Sequence, residues 1–132
     1  MLVEWIPSQD APLAALVRAG HDPNETTFVT PDELQLQVGF VVYPRGGAVV
    51  PHSHKPLERR LVGTSEVILV RSGRCELDLY DDGSLIATRE LEPGDLVLLV
   101  AGGHGLRMLE DTVLLEVKQG PYTGLAEKEP IA

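Results

Sequence analysis

Cysteine is almost missing from this chain. Cys75 is the only one among 132 residues, so no internal disulfide can form. That suits a reducing compartment or indifference to redox. Basic residues are outnumbered, 11 Lys and Arg against 20 Asp and Glu, which leaves a net charge of −9. Nucleic-acid binders carry basic faces that release counterions from the phosphate backbone, so no nucleic-acid partner is expected. No apolar run approaches the ~20 residues needed to span a bilayer, and no membrane association is expected. The N-terminus, MLVEWIPSQD, lacks the basic start and apolar block of a signal peptide. Cytoplasm is therefore the expected compartment.

What is present is an ordinary globular balance, 43% hydrophobic and 23% charged, in a length that makes one domain. Thirteen glycines and ten prolines fall mostly between short apolar runs. Many short strands separated by turns are the signature of an all-β sandwich or barrel.

Along the chain, residues 1–12 read as irregular, with Pro7 and Pro12 as breakers. Leu13–Ala19 suits a short strand or a short helix, and its brevity favours a strand. His21 falls in a turn and reads as solvated. Thr27–Thr30 is a brief strand. Thr30-Pro31-Asp32-Glu33 has the form of a capping box with proline at the first helical position, so one helical turn is expected there. Leu34–Tyr43 begins with strict alternation and is expected as a strand. Pro44-Arg45-Gly46-Gly47 turns the chain into a second expected strand, Ala48–His54.

Further on, Glu66–Val70 is apolar on both faces and reads as an inner strand. Cys75, Leu77 and Leu79 alternate with polar residues, and Cys75 reads as a small core residue. Asp81-Asp82-Gly83 signals a hairpin. Glu92-Pro93-Gly94-Asp95 places proline and glycine where a type II turn wants them. Leu85–Leu91, Leu96–Val100, Leu106–Leu109 and Val113–Lys118 complete about nine or ten strands, followed by a polar tail, 120–132.

The chemistry centres on Gly46–Gly73. His52 and His54 are two apart, and on a strand residues i and i+2 share a face. Their imidazoles could hold one metal ion. Glu66 opens the next apolar run, and His104 follows Gly102-Gly103 downstream. Three imidazoles and a carboxylate suit Zn, Cu, Fe or Ni. Arg45, Arg59 and Arg60 read as solvated loop charges rather than anion clamps. Glu116 and Lys118 share one face of the last strand and form either a solvent-facing ion pair or the polar lining of a cavity. Tyr43 and Tyr122 become hydrogen-bonding or acid–base groups only where they face a pocket.

These residues resemble the cupin superfamily, in its small single-domain form. The family's first motif runs glycine, five residues, His-x-His, a short gap, glutamate, six residues, glycine. Here Gly46 is followed by five residues and His52-Ser53-His54, and Glu66 by six residues and Gly73. The second motif runs glycine, five residues, proline, x, glycine, two residues, histidine. Gly94 is followed by five residues and then Val100-Ala101-Gly102-Gly103-His104. The likeness covers Gly46 to about Leu109. It departs from the pattern in three places: the gap from His54 to Glu66 is long, Val100 replaces the proline, and His104 comes one residue early. Glu58 lies at the family's short spacing from His54 and is the alternative to Glu66, which keeps the distance to Gly73.

The resemblance implies a double-stranded β-helix, or jelly-roll barrel, with at most one short helical turn. It implies a single domain over 1–132, with a core of about 34–119 and extra N-terminal strands in 1–33. It also implies one divalent transition metal (Fe, Mn, Ni, Zn or Cu) held by His52, His54, Glu66 and His104. Tyr43, Glu116 and Lys118 are the candidate contacts to a small polar metabolite. A homodimer is expected, with the apolar Leu13–Val17 run pairing with a second subunit. Besides a metal-dependent oxygenase or isomerase, two functions stay open. One is a metal-free nucleotide-sugar isomerase or epimerase; the other is a non-catalytic sensing or storage barrel.

Overall fold

The computed structural model describes residues 1–124 and 128–131, so residues 125–127 and 132 of the expected tail lie outside the described residues. The chain divides into two compact units, Met1–His21 with Thr64–Ala132, and Asp22–Gly63. Among the described residues there are ten strands and no α-helix, and every strand pair is antiparallel. Among the described residues no sheet closes into a barrel.

The larger unit holds β1 (Val3–Ile6), β2 (Ala14–Val17), β5 (Glu66–Ser72), β6 (Cys75–Asp81), β7 (Ser84–Leu91), β8 (Leu96–Leu99), β9 (Gly103–Met108) and β10 (Val113–Lys118). Five of these form a sheet in the order β1-β2-β8-β5-β10, and three form a second sheet, β7-β6-β9. Period-two alternation sends one set of side chains from each sheet into a common core. The five-stranded sheet contributes Ile6, Ala14, Leu16, Ile68, Val70, Val97 and Leu99; the three-stranded sheet contributes Cys75, Leu77, Leu79 and Leu91. Each fully buried Leu or Ile among them contributes about 1.5–3 kcal/mol. Cys75 is a core residue whose thiol pKa is pushed up by burial.

The turns follow their residues. Asp82 (φ 50°) and Gly83 (φ 77°) form the two-residue loop between β6 and β7, with Asp81 paired to Ser84. Both central residues lie in the left-handed region that a type I′ hairpin requires. In Glu92–Asp95 the Asp95 amide donates to the Glu92 carbonyl at 3.0 Å, and Gly94 takes φ 88°, as the third position of a type II turn must.

One lateral side of the two-sheet stack is closed by charge. Arg89 on β7 grips Glu4 on β1 with two bonds, Nε–Oε1 at 3.1 Å and Nη2–Oε2 at 2.7 Å. The guanidinium holds the Glu4 carboxyl below its usual value of 4.5. A lowered folded-state pKa adds stability above the unfolded value, and that stability is lost as pH falls through the folded value. Glu4→Gln is expected to lower stability at pH 7 by about 0.5–1 kcal/mol, the scale of a partly screened pair. Urea midpoints of the two proteins should then converge as pH drops below the depressed Glu4 pKa.

In the smaller unit β3 (Thr27–Phe28) pairs with β4 (Gly39–Phe40). The Phe28 ring lies over Gly39, where an added Cβ would stand 2.6 Å from it. Gln35 exchanges two bonds with the Val62 backbone, at 3.1 and 3.3 Å, as a strand neighbour would.

Five sequence expectations are corrected. Residues 1–12 are not irregular throughout, because β1 pairs with β2 from Val3 to Ile6. The helical turn at Thr30–Glu33 is a β-turn, with Leu34 N–H donating to the Pro31 carbonyl at 3.2 Å. The Thr30 hydroxyl caps nothing helical; it accepts the Val38 N–H at 3.1 Å and donates to Gln37 Oε1 at 2.7 Å. Of the expected strand Leu34–Tyr43 only Gly39–Phe40 is extended and paired, because Gln37 Nε2 folds back on the Pro31 and Leu34 carbonyls at 2.9 and 2.8 Å. The expected strand Ala48–His54 is absent: the segment is exposed and has no ladder partner. The Leu13–Val17 run needs no second subunit to account for its apolarity. As β2 it is flanked on both edges by β1 and β8, and Ala14–Val17 are buried.

Candidate functional site

In the larger unit Glu66 and His104 arrive from opposite sheets. Glu66 opens β5 and sits across from Leu99 of β8 and Lys118 of β10. Its parity with Ile68 and Val70 aims it at the space between the sheets. His104 follows Gly103 on β9, opposite Leu79, so it shares the inward face with Leu79 and Leu106. Gly102 takes φ 68°, and a Cβ there would lie 2.4 Å from the Tyr80 carbonyl. Only glycine makes that close turn into β9.

The two side chains meet with His104 Nε2 at 2.9 Å from Glu66 Oε1, at side-chain exposures of 34% and 11%. A carboxylate only accepts, so Nε2 carries the proton. The bond from His104 holds the Glu66 carboxyl below its ordinary value against the opposing effect of burial, with Glu116 and Lys118 also acting on it. The register explains those neighbours. Glu116 pairs with Ile68 and Lys118 with Glu66, which puts both on the inward face of β10. The Lys118 ammonium lies 4.9 Å from the centre of the Tyr122 ring, a cation–π arrangement. Glu66, His104, Glu116, Lys118 and Tyr122 thus form one polar end of the two-sheet stack. Sequence spacing pointed to Glu66, His104, Glu116 and Lys118; Tyr122 gave no signal beyond its residue type.

Gln119 was missed. Its Oε1 accepts the Ser65 N–H at 3.0 Å, and its Nε2 is buried without a partner among the described residues. A glutamine after a strand carries no signal that would have singled it out.

The smaller unit holds the other two imidazoles. His52 and His54 are both exposed, with ring centres 5.1 Å apart and planes at 63°. They stand together without the strand that was expected to align them. His52 Nδ1 lies 2.7 Å from the Val50 carbonyl, so in the neutral ring Nδ1 carries the proton and Nε2 keeps a free lone pair. Glu58, Arg59 and Arg60 are exposed in the same unladdered stretch. Tyr43 is exposed and packs on the Pro44–Gly47 turn, 3.3 Å from where a Cβ on Gly47 would stand. Within neither unit is a group of three or more His, Cys, Asp or Glu side chains gathered to hold a metal, among the described residues.

No family model, curated protein or solved structure matches the chain. What stands is an all-β chain of antiparallel sheets, compatible with a β-barrel fold. No helix among the described residues is long and apolar enough to cross a membrane.

Proposed function

We propose that this protein is a metal-binding cupin that binds or transforms a small polar metabolite, its sheets being those of a jelly-roll barrel. The observation that carries this reading is the convergence of Glu66 and His104 from facing sheets at 2.9 Å. The donor chemistry fits a divalent transition metal. An ionised carboxylate and an imidazole that share a proton in its absence are suited to share a cation instead. The bond from His52 Nδ1 to a backbone carbonyl is of the kind that orients a ligating ring and leaves Nε2 to the metal. His52 and His54 are the further ligands proposed from sequence. A bound metal would polarise an oxygen of the metabolite or generate a nucleophilic water. Around it, Lys118 supplies positive charge, Glu116 a second carboxylate, and the unpartnered Gln119 Nε2 a donor for a metabolite oxygen.

A second reading is favoured by the same Glu66–His104 bond. A carboxylate that orients an imidazole makes a general base without any metal, as in isomerisation or epimerisation of a nucleotide-linked sugar.

Metal analysis after size exclusion separates the two. The chain supplemented with Fe, Mn, Ni, Zn or Cu is expected to retain about one equivalent of at least one of them, and Glu66→Gln or His104→Ala to lose it. Glu58→Gln should keep it. Retention below about a tenth of an equivalent under every metal would remove the first reading. A nucleotide-sugar that raises Tm, with chelators leaving Tm unchanged, would then support the second.

A further inference from the structure

His104 reaches Glu66 from the weakest part of its strand. β9 is an edge of the three-stranded sheet, so of the described strands only β6 pairs with it. Gly103 and Tyr80 form the last rung of that ladder. The two residues before His104 are glycines, which have no side chain to pack and give up the most backbone freedom on folding. The end of an edge ladder built in this way is where a strand frays. Fraying there would carry the imidazole away from its carboxylate.

The group that opposes it is Ile131. Gly103 shares the outward face of β9 with Tyr80, on the other side of the strand from the inward His104. A Cβ on Gly103 would stand 2.5 Å from Ile131 Cδ1, 3.7 Å from Ile131 Cγ1 and 3.5 Å from Tyr80 Cβ. The missing side chain therefore leaves a notch, and the tip of the isoleucine occupies it. Ile131 follows the exposed run Lys128-Glu129-Pro130, yet at 43% exposure more than half of its own surface is covered. Removing that apolar surface from water holds it against the backbone at Gly103. We propose that Ile131 is a positioning residue for His104: seated behind Gly103, it fixes the backbone from which the imidazole reaches Glu66. This concerns the His104–Glu66 bond itself and serves either reading of the site.

Nitrogen–proton correlation spectra of the imidazoles in the metal-free full chain test it. Wild type should show the Nε2 proton of His104, protected by its bond to Glu66. Ile131→Ser should lose that signal to exchange with solvent. Ile131→Val, which keeps a branched apolar tip, should regain it. Gly103→Ala leaves the isoleucine in the chain but bars it from the notch, and should act like Ile131→Ser. The double variant should be no worse than either alone, because both remove one contact. The Leu77 and Leu91 amides, from the buried core, should keep their protection throughout, as a local brace requires. A His104 signal as strong in Ile131→Ser as in wild type would overturn the proposal. So would its loss in step with core protection, or its absence from wild type. Should Ile131→Ser fail to fold, Gly103→Ala gives the same readout. No metal enters the measurement, so its outcome is independent of metal retention.

Discussion

Asp95→Ala is expected to lose about 3 kcal/mol of stability and about 10 °C of Tm, one of the largest effects of any single change. Asp95 is buried beneath the Glu92–Asp95 turn. Its Oδ1 accepts the Ala19 N–H at 2.8 Å, and its Oδ2 accepts the Glu92 N–H at 2.8 Å and Arg18 Nη1 at 3.0 Å. One carboxylate thus ties the end of β2 to the turn that opens β8. Alanine would remove the acceptor of two backbone donors and one of the two acceptors of the Arg18 guanidinium, which keeps the Glu90 carbonyl at 2.7 Å, and the cost of an unmade bond exceeds the value of a made one. Asp95→Asn keeps one carbonyl acceptor and should lose roughly half as much. Urea midpoints at constant slope would check both. A loss below about 1 kcal/mol for Asp95→Ala would show that the cluster is solvated rather than buried.

Gly73→Ala is expected to cost about 3 kcal/mol or more, while Gly83→Ala costs about 1 kcal/mol. Both glycines have positive φ, 86° and 77°. The difference is space. A Cβ on Gly73 would lie 2.2 Å from the Asp111 carbonyl and 2.6 Å from the Thr112 Cα, whereas nothing stands within 4 Å of one on Gly83. At Gly83 only backbone conformation is strained. At Gly73 the 110–112 turn, held by Thr112 Oγ1 at 3.2 Å from both the N–H and the carbonyl of Arg74, would have to move. Comparing the two variants in one denaturant series separates conformational strain from collision. Equal losses would mean that the turn after β9 yields freely.

Gly73 also shows how far the sequence reaches. Its place after Glu66, with six residues between, was legible as a motif. The physical reason for glycine there is the close approach of a turn about forty residues downstream, which no local pattern contains. The corrections have the same origin. Thr30-Pro31-Asp32-Glu33 has the residues of a helix start, but Gln37 bonds the Pro31 and Leu34 carbonyls and the Thr30 hydroxyl, and the chain turns instead. Leu34–Tyr43 alternates as a strand should, yet alternation specifies a face and not a partner. Only Gly39–Phe40 finds one.

By itself the sequence determined an all-β chain, the strands from Glu66 to Lys118 apart from the start of β9, which opens at Gly103 and not at the expected Leu106, both tight turns among them, and the chemical types at the candidate site. These follow from side-chain period, from turn residues that tolerate one backbone conformation, and from hydropathy, all of which act within a few neighbours. Tertiary structure alone decided which edges pair and that Glu66 and His104 meet across two sheets. It decided too that Glu4 and Arg89 close one side of the stack and that β10 ends the five-stranded sheet. Those outcomes depend on contacts between residues far apart in the chain, whose free energy is set by the packing of the folded core.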